Sequence, residues 1–521
     1  MFRSSTFVAI VSVLVLILSG CDSFRFNEIL DQQAPVPGGA IEIAELEFER
    51  FVAAWPAASD AGTAADELEY AIAVSRYGEI DTIEQAQVNA LYLSEWRRGF
   101  LSFDTDEMGG VLDGSPHRVN VFVRNREDFL ADYGTVEFTV PARPDLLLAT
   151  QAQQAILINT SPFGGAISFD TAGIIVPTAF TIDMSGIAVA DITFDGYPDV
   201  IIGRTIDPIY SSINIWPDSP GDPFFAFQTL ADRYSGYTAL VPIDVDGDGL
   251  QDLVTGRGFD TTALSVLRNI SLYYSNEEFP QDDPDWSTYT TDPVEVLAGD
   301  FDMDGNPDLA IARGNTLLRE NAVFFNDGSG AFYSGTVDAS DPVLFGTNIS
   351  RALAAGTVTS GDDVPDLASA FIGGIELWVG DGTGGFTRHA GARLFSGADI
   401  HAIALGDLDG DGDADILADS DVAPLQIYLA VGISDDGTSG GWFGPIEPPL
   451  SPGDVDDIRL ADLDGDGDLD LIAIDTATFD VCVWENTGAT PDVNVDFVMV
   501  PGFPFFPGSG YERIIPASLN P

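Results

Sequence analysis

From about Ala142 onward the chain repeats one arrangement of polar and apolar positions: a single aspartate, then a short apolar run. The copies read D-L-L-L-A-T at Asp145, D-V-I-I-G-R at Asp199, D-L-V-T-G-R at Asp252, D-L-A-I-A-R at Asp308, D-L-A-S-A-F at Asp366, D-I-L-A-D-S at Asp415 and D-L-I-A-I-D at Asp470. Their spacings are 54, 53, 56, 58, 49 and 55 residues, enough for four short strands with turns. Another strand precedes each internal aspartate, as in I-R-L-A at Ile458–Ala461. Later strands end in small polar turns, as in F-F-N-D-G-S-G-A-F at Phe324–Phe332 and L-W-V-G-D-G-T-G-G-F at Leu377–Phe386. Seven units of this length fit the blades of a β-propeller.

Asp145 has no such preceding strand, because the chain before it belongs to another region. I-I-P-A-S-L-N-P at Ile514–Pro521 aligns on the missing strand. Residues Tyr511–Pro521 are therefore expected to complete the unit that Asp145 begins, joining the two ends of a ring and removing both open edges.

Before Ala142 the pattern is also strand-like. A-E-L-E-F, R-F-V-A-A-W, L-E-Y-A-I-A-V, R-V-N-V-F-V and T-V-E-F-T-V lie between Ile41 and Val140, and the segment Thr82–Arg98 reads as a helical insertion. Residues 1–20 carry one Arg and an apolar run of signal-peptide length, while residues 21–40 have little periodicity and read as a tether. No later stretch is long and apolar enough for a spanning helix.

Three resemblances follow from these residues. The recurring loop, strand and Gly-rich turn over residues 142–521 resembles the FG-GAP and VCBS repeat family, which includes the propeller heads of integrin α-subunits. The order of features in residues 41–141 resembles a fibronectin type III domain, with Trp55 as the early core Trp, Tyr70 in the third strand and Val119–Val123 as a late strand. His117 stands where that family usually has Tyr and is expected to be a packing residue. Leu18-Ser19-Gly20-Cys21 resembles the lipobox of bacterial lipoproteins, implying cleavage before Cys21, lipidation of that Cys and attachment to a membrane. Together they imply an all-β fold: a seven-bladed β-propeller with Ca-binding loops, preceded by a fibronectin type III-like β-sandwich. The implied location is the extracytoplasmic side of a bacterial envelope, periplasm-facing or at the cell surface.

Composition narrows the partners. There are 83 acidic residues against 21 Lys plus Arg, every one of the 21 being Arg, for a net charge of −62. Nucleic acid is a poor partner for such a surface. A salt-adapted host and a genome that replaces Lys by Arg both account for the excess. Of the two cysteines, Cys21 is assigned to the anchor, and Cys482 in V-C-V-W is read as a small core residue.

The candidate chemistry lies in the loops that end at the repeated aspartates. Four carry Asp at the first, third, fifth and ninth positions: Asp244, Asp246, Asp248, Asp252; Asp300, Asp302, Asp304, Asp308; Asp407, Asp409, Asp411, Asp415; and Asp462, Asp464, Asp466, Asp470. A fifth has Asp191, Thr193, Asp195 and Asp199 and is expected to bind more weakly. Alternate residues of an extended loop project to one side, and glycine at the sixth position allows the sharp turn that brings the seventh carbonyl inward. Hard oxygen donors in an irregular cage suit Ca²⁺ better than Mg²⁺, giving about five structural sites. The loop at Thr357–Asp366 and the split unit with Ser518, Asn520 and Asp145 are expected to be empty.

These readings favour a lipid-anchored, calcium-stabilised binding or adhesion module with a protein or glycan ligand. The alternatives are a polysaccharide-acting enzyme, since some lyases resemble a calcium-laced propeller, and a passive envelope scaffold. Against the enzyme, the chain lacks Lys and a nucleophile motif, and its three histidines, His117, His389 and His401, are expected at packing, turn and edge positions.

Overall fold

The computed structural model describes residues 33–517 except 49, 76–78, 109–115, 142, 150–153, 177–182, 193–197, 208–209, 217–227, 234–236, 258–263, 270–285, 289–292, 314–319, 331, 334–342, 347, 360–362, 395–396, 435–439, 450–454, 476–477, 479, 491–493 and 506–512. Cys21 therefore lies outside the described residues. The protein is all-β, built of small antiparallel sheets, and divides into two compact units at Pro141/Ala142.

Among its described residues the first unit holds two sheets. Glu42–Glu47, Arg50–Ala54 and Ser102–Asp104 form one; Glu69–Ser75 and Pro116–Arg124 are the middle of the other. Alternation sets the faces: Phe51 and Ala53 are buried while Arg50, Val52 and Ala54 are half-exposed. Phe51, Trp55, Tyr70, Ile72, Val74, Phe103, Val119 and Val121 make the core, and the Tyr70 hydroxyl accepts from the Ala58 N–H at 2.9 Å. His117 is 1% exposed and stacks on Phe138. Val36, in the stretch expected to be tether, instead pairs with Ser59 through two backbone hydrogen bonds.

Only the start of the expected helical insertion is helical. A capping box between Thr82 and Gln85 starts the helix Ile83–Asn89, which lays Ala86 against Ala73 and Phe122 beside Ile80 of the preceding segment. Beyond it, Tyr92–Leu93 and Arg97–Arg98 pair with Glu69–Ser75. Tertiary contacts override the helical pattern there: Tyr92 stacks on Phe103 of the other sheet at 5.1 Å, and the Arg124 guanidinium lies 4.5 Å over Trp96.

Among its described residues the second unit contains seven sheets, numbered here by their first strands: Arg513–Ala517, Asp183–Ala190, Tyr237–Ile243, Pro293–Gly299, Ser350–Gly356, Ile400–Gly406 and Val455–Ala461. In every sheet the second strand begins at a repeated aspartate: Asp145, Asp199, Asp252, Asp308, Asp366, Asp415 or Asp470. Successive first strands pack side by side, the seventh against Arg513–Ala517 and that strand against Asp183–Ala190. The continuous apolar runs now have a cause. Leu146 and Leu148 pack on Ile472, Ile474, Val481 and Val483 of the seventh sheet, while Leu147 between them packs on Val200 and Ile202 of the second. Both faces are covered, so neither can be polar.

The first sheet joins the two ends of this unit. Arg513–Ala517 pairs antiparallel with Asp145–Ala149, with Asp145 opposite Ala517 and Ala149 opposite Arg513. The seventh sheet holds the same strand from the side: the Ile514 N–H donates to Asp457 at 2.8 Å, and the Ile514 carbonyl accepts from Arg459 Nε at 3.2 Å. Cys482 lies in the core beside Trp484, and burial pushes its thiol up to about 12. His389, expected in a polar turn, is instead buried in the strand Phe386–Leu394.

Ile514 is fully buried against the seventh sheet, so Ile514→Ala is expected to cost about 2–5 kcal/mol in urea denaturation. A chain ending at residue 512 should lose the cooperative transition of the second unit altogether.

Candidate metal centre

The four full loops share one local architecture. In the loop Asp407–Asp415, the Asp407 carboxylate accepts from the N–H groups of Gly410 at 2.8 Å, Asp411 at 3.2 Å and Gly412 at 2.9 Å. Asp411 accepts from Asp413 at 2.8 Å. Asp244 takes the same bonds from Gly247, Asp248 and Gly249, and Asp462 accepts from Gly465 and Gly467. The chain folds back on its first carboxylate only because the fourth and sixth positions are left-handed: φ is 74° at Gly410 and 95° at Gly412. In the loop Asp300–Asp308 the fourth position is Met303, which takes φ 60° despite its side chain.

This folding brings carboxylates together. In the loops at Asp244 and Asp300, oxygens of the first, third and fifth aspartates lie within 4.8 Å of one another; in those at Asp407 and Asp462, the first and third are joined by the ninth, Asp415 or Asp470. Each triad is able to hold a metal ion. Desolvation, with like charge from the neighbours, raises Asp248, Asp302 and Asp462, and pushes Asp464 up to about 6. A bound cation removes that penalty. In the remaining loop, Asp191 and Asp199 are placed, while Thr193 and Asp195 lie outside the described residues, as do Ser518 and Asn520 of the split unit.

The ninth aspartate has a second role that spacing did not reveal. One of its oxygens accepts the N–H of the loop's second residue, and the other the N–H at the end of the third strand. For Asp415 these are Leu408 and Ala430; for Asp252, Val245 and Asn269; for Asp308, Phe301 and Asn326; for Asp470, Leu463 and Asn486. Burial pushes Asp252 and Asp308 up to about 7, and Asp415 and Asp470 up to about 8, despite these donors. The loop Thr357–Asp366, without the early carboxylates, gives its aspartate two extra donors, both from Thr359. Asp366 accepts from the N–H groups of Val358, Thr359 and Gly380 and from the Thr359 hydroxyl at 3.1 Å.

Asparagines at the third-strand end then tie consecutive sheets. Asn269 Nδ2 donates to the Ile192 carbonyl of the second sheet at 2.9 Å, and Asn326 Nδ2 to Val245 of the third at 2.8 Å. Asn486 reaches Leu408 of the sixth, and Asn159 reaches Leu463 of the seventh. Each acceptor residue gives its own N–H to the ninth aspartate of its loop, as Ile192 does to Asp199 at 2.9 Å. Hydrogen bonds thus run unbroken from loop to loop through sheets two, three and four, and again through six, seven and one. Gly380 and Ala430 stand at the asparagine position in sheets five and six. The signal was legible: an asparagine 14, 17, 18 and 16 residues after the repeated aspartate.

Two outcomes are expected. Asn486→Ala leaves the buried Leu408 carbonyl without that donor and should cost about 1–3 kcal/mol in chemical denaturation. The buried aspartates also set a pH dependence. Their folded-state pKa values of about 7 to 8 exceed the ordinary 3.8, so the metal-free fold takes up protons that the unfolded chain does not. Its stability should rise as pH falls from 8 to 6. With a divalent ion holding the carboxylates ionised, the trend should flatten or reverse. Thermal melts across that window, with and without metal, measure both.

Residues 359–418 match the FG-GAP-like repeat family; the segment runs from Thr359 through the loop Asp407–Asp415 into the following strand. No curated protein matches the sequence. Among solved structures, one from Lactobacillus plantarum is similar over 68% of this chain and 99% of its own, at 12% identity and TM-score 0.42. Another, BBS1N in complex with ARL6DN, soaked with lead, is similar over 60% of this chain and 87% of its own, at 13% identity and TM-score 0.32.

Proposed function

We propose that the second unit is a closed seven-bladed β-propeller whose aspartate loops take calcium as a structural ion, and that it works as a binding or adhesion module. The observation that carries this is the recurrence of one carboxylate loop between the first and second strands of successive sheets. A catalytic metal needs a single site with an open position, whereas repeated closed loops act as rivets. Loops gathered from several blades make a broad recognition surface, suited to a protein or a glycan. On the same reading the first unit is a fibronectin type III-like stalk, and the lipobox-like run ending at Cys21 fixes the chain to an envelope membrane.

Calcium is expected to stabilise the fold substantially. At a dissociation constant on the order of 10⁻⁴ M and a hundredfold excess, each site contributes about 2.7 kcal/mol. A chelator should therefore lower the melting transition by several degrees, and magnesium should restore it poorly. An unchanged transition rules out structural calcium. Binding is tested with the chain carrying Cys21→Ser on a glycan array and in pull-downs from envelope extracts. Retention of neither glycan nor protein would leave only a scaffold, and new unsaturated ends released from acidic polysaccharide would point to a lyase.

A further inference from the structure

The four carboxylate triads are not alike, and the difference lies in the residue that precedes the third-strand donor to the ninth aspartate. That residue is Ile158, Phe325, Val379, Leu429 or Glu485 in five sheets, and Arg268 in the third. Position follows from the staple already described. Asn269 is fixed by Asp252 at 2.6 Å and by the Ile192 carbonyl at 2.9 Å, so the side chain of its neighbour is held beside the loop Asp244–Asp252. Arg268 Nη1 lies 3.1 Å from Asp246 Oδ2, a member of the triad. Its Nη2 donates to the Ser329 carbonyl in the turn after Asn321–Asn326 of the fourth sheet. The turn is shaped around it: Gly330 has φ 75°, and a Cβ there would stand 2.6 Å from Arg268 Nη2.

We infer that Arg268 is the resident cation of the Asp244–Asp252 loop, so that this loop is closed by a guanidinium while the other three triads take calcium. A divalent ion at the triad would share the Asp246 carboxylate with the guanidinium that already holds its Oδ2. It also brings its charge close to a fixed positive group, in a site where displacement costs Arg268 its bond to Ser329 as well. Arg268 thereby replaces one ion and, unlike an ion, ties the third sheet to the fourth. This rests on the calcium reading for the other loops.

The test counts calcium bound to the full chain by equilibrium dialysis, with folding followed by circular dichroism. Asp302→Asn should lose one ion per chain. Asp244→Asn should lose none in the wild-type background. Arg268→Gln should gain one, and adding Asp244→Asn to it should remove that gain. Loss of an ion from Asp244→Asn alone, or no gain in a folded Arg268→Gln, overturns the inference while leaving structural calcium standing. Absence of bound calcium in every form overturns both. Should Arg268→Gln fail to fold, the Asp244→Asn comparison decides by itself.

Discussion

One buried carboxylate per sheet is the constraint on which the second unit depends. Each repeated aspartate opens a second strand and is almost inaccessible to solvent, from 0% exposure at Asp199 to 6% at Asp145. Burying an ionised group costs several kcal/mol. At Asp252, Asp308, Asp366, Asp415 and Asp470 the cost is offset by backbone N–H donors aimed at both oxygens, from the loop before and from the strand after. The carboxylate therefore decides where the loop begins its return, where the third strand ends and how the two meet. Asparagine extends the same bonding to the next sheet, so local turn chemistry becomes a contact between neighbours.

The metal-binding geometry is built on that staple. Left-handed residues wrap the loop around its first carboxylate, and the ninth holds the loop to the sheet. In the loops at Asp407 and Asp462 the ninth also joins the triad; in those at Asp244 and Asp300 the fifth takes that place. The loop Thr357–Asp366 shows what survives without the early acids. Thr359 supplies a hydroxyl and an N–H to Asp366, whose carboxyl burial pushes up only to about 6. The staple at Asp366 is thus complete without carboxylates at the first, third and fifth positions of its loop.

Arginine does the complementary work in a chain of net charge −62. Arg459 contacts Asp457 at 2.9 Å and the Ile514 carbonyl, drawing the last strand onto the seventh sheet. Arg268 bridges Asp246 and Ser329 between the third and fourth. In both places a planar guanidinium satisfies a carboxylate and a backbone carbonyl at once, which a point-like ammonium does less well.

The sequence by itself determined the all-β class, the positions of the repeated aspartates and the carboxylate-rich loops, because these depend on local periodicity and on spacing within nine residues. That the runs after each aspartate are covered on both faces emerged from the packing of neighbouring sheets. Only the tertiary structure decided which oxygens meet, that the ninth aspartate accepts from two chain segments, and that Arg268 leans on one triad. The contacts between separate strands and sheets join residues from 14 positions apart, as in Asn159 to Asp145, to 304 apart, as in Asn159 to Leu463. The insertion after Thr82 shows the same limit in the first unit. A helical pattern is local, but the strand that Tyr92 joins is supplied by Glu69–Ser75, and pairing with it outweighs the propensity of the segment.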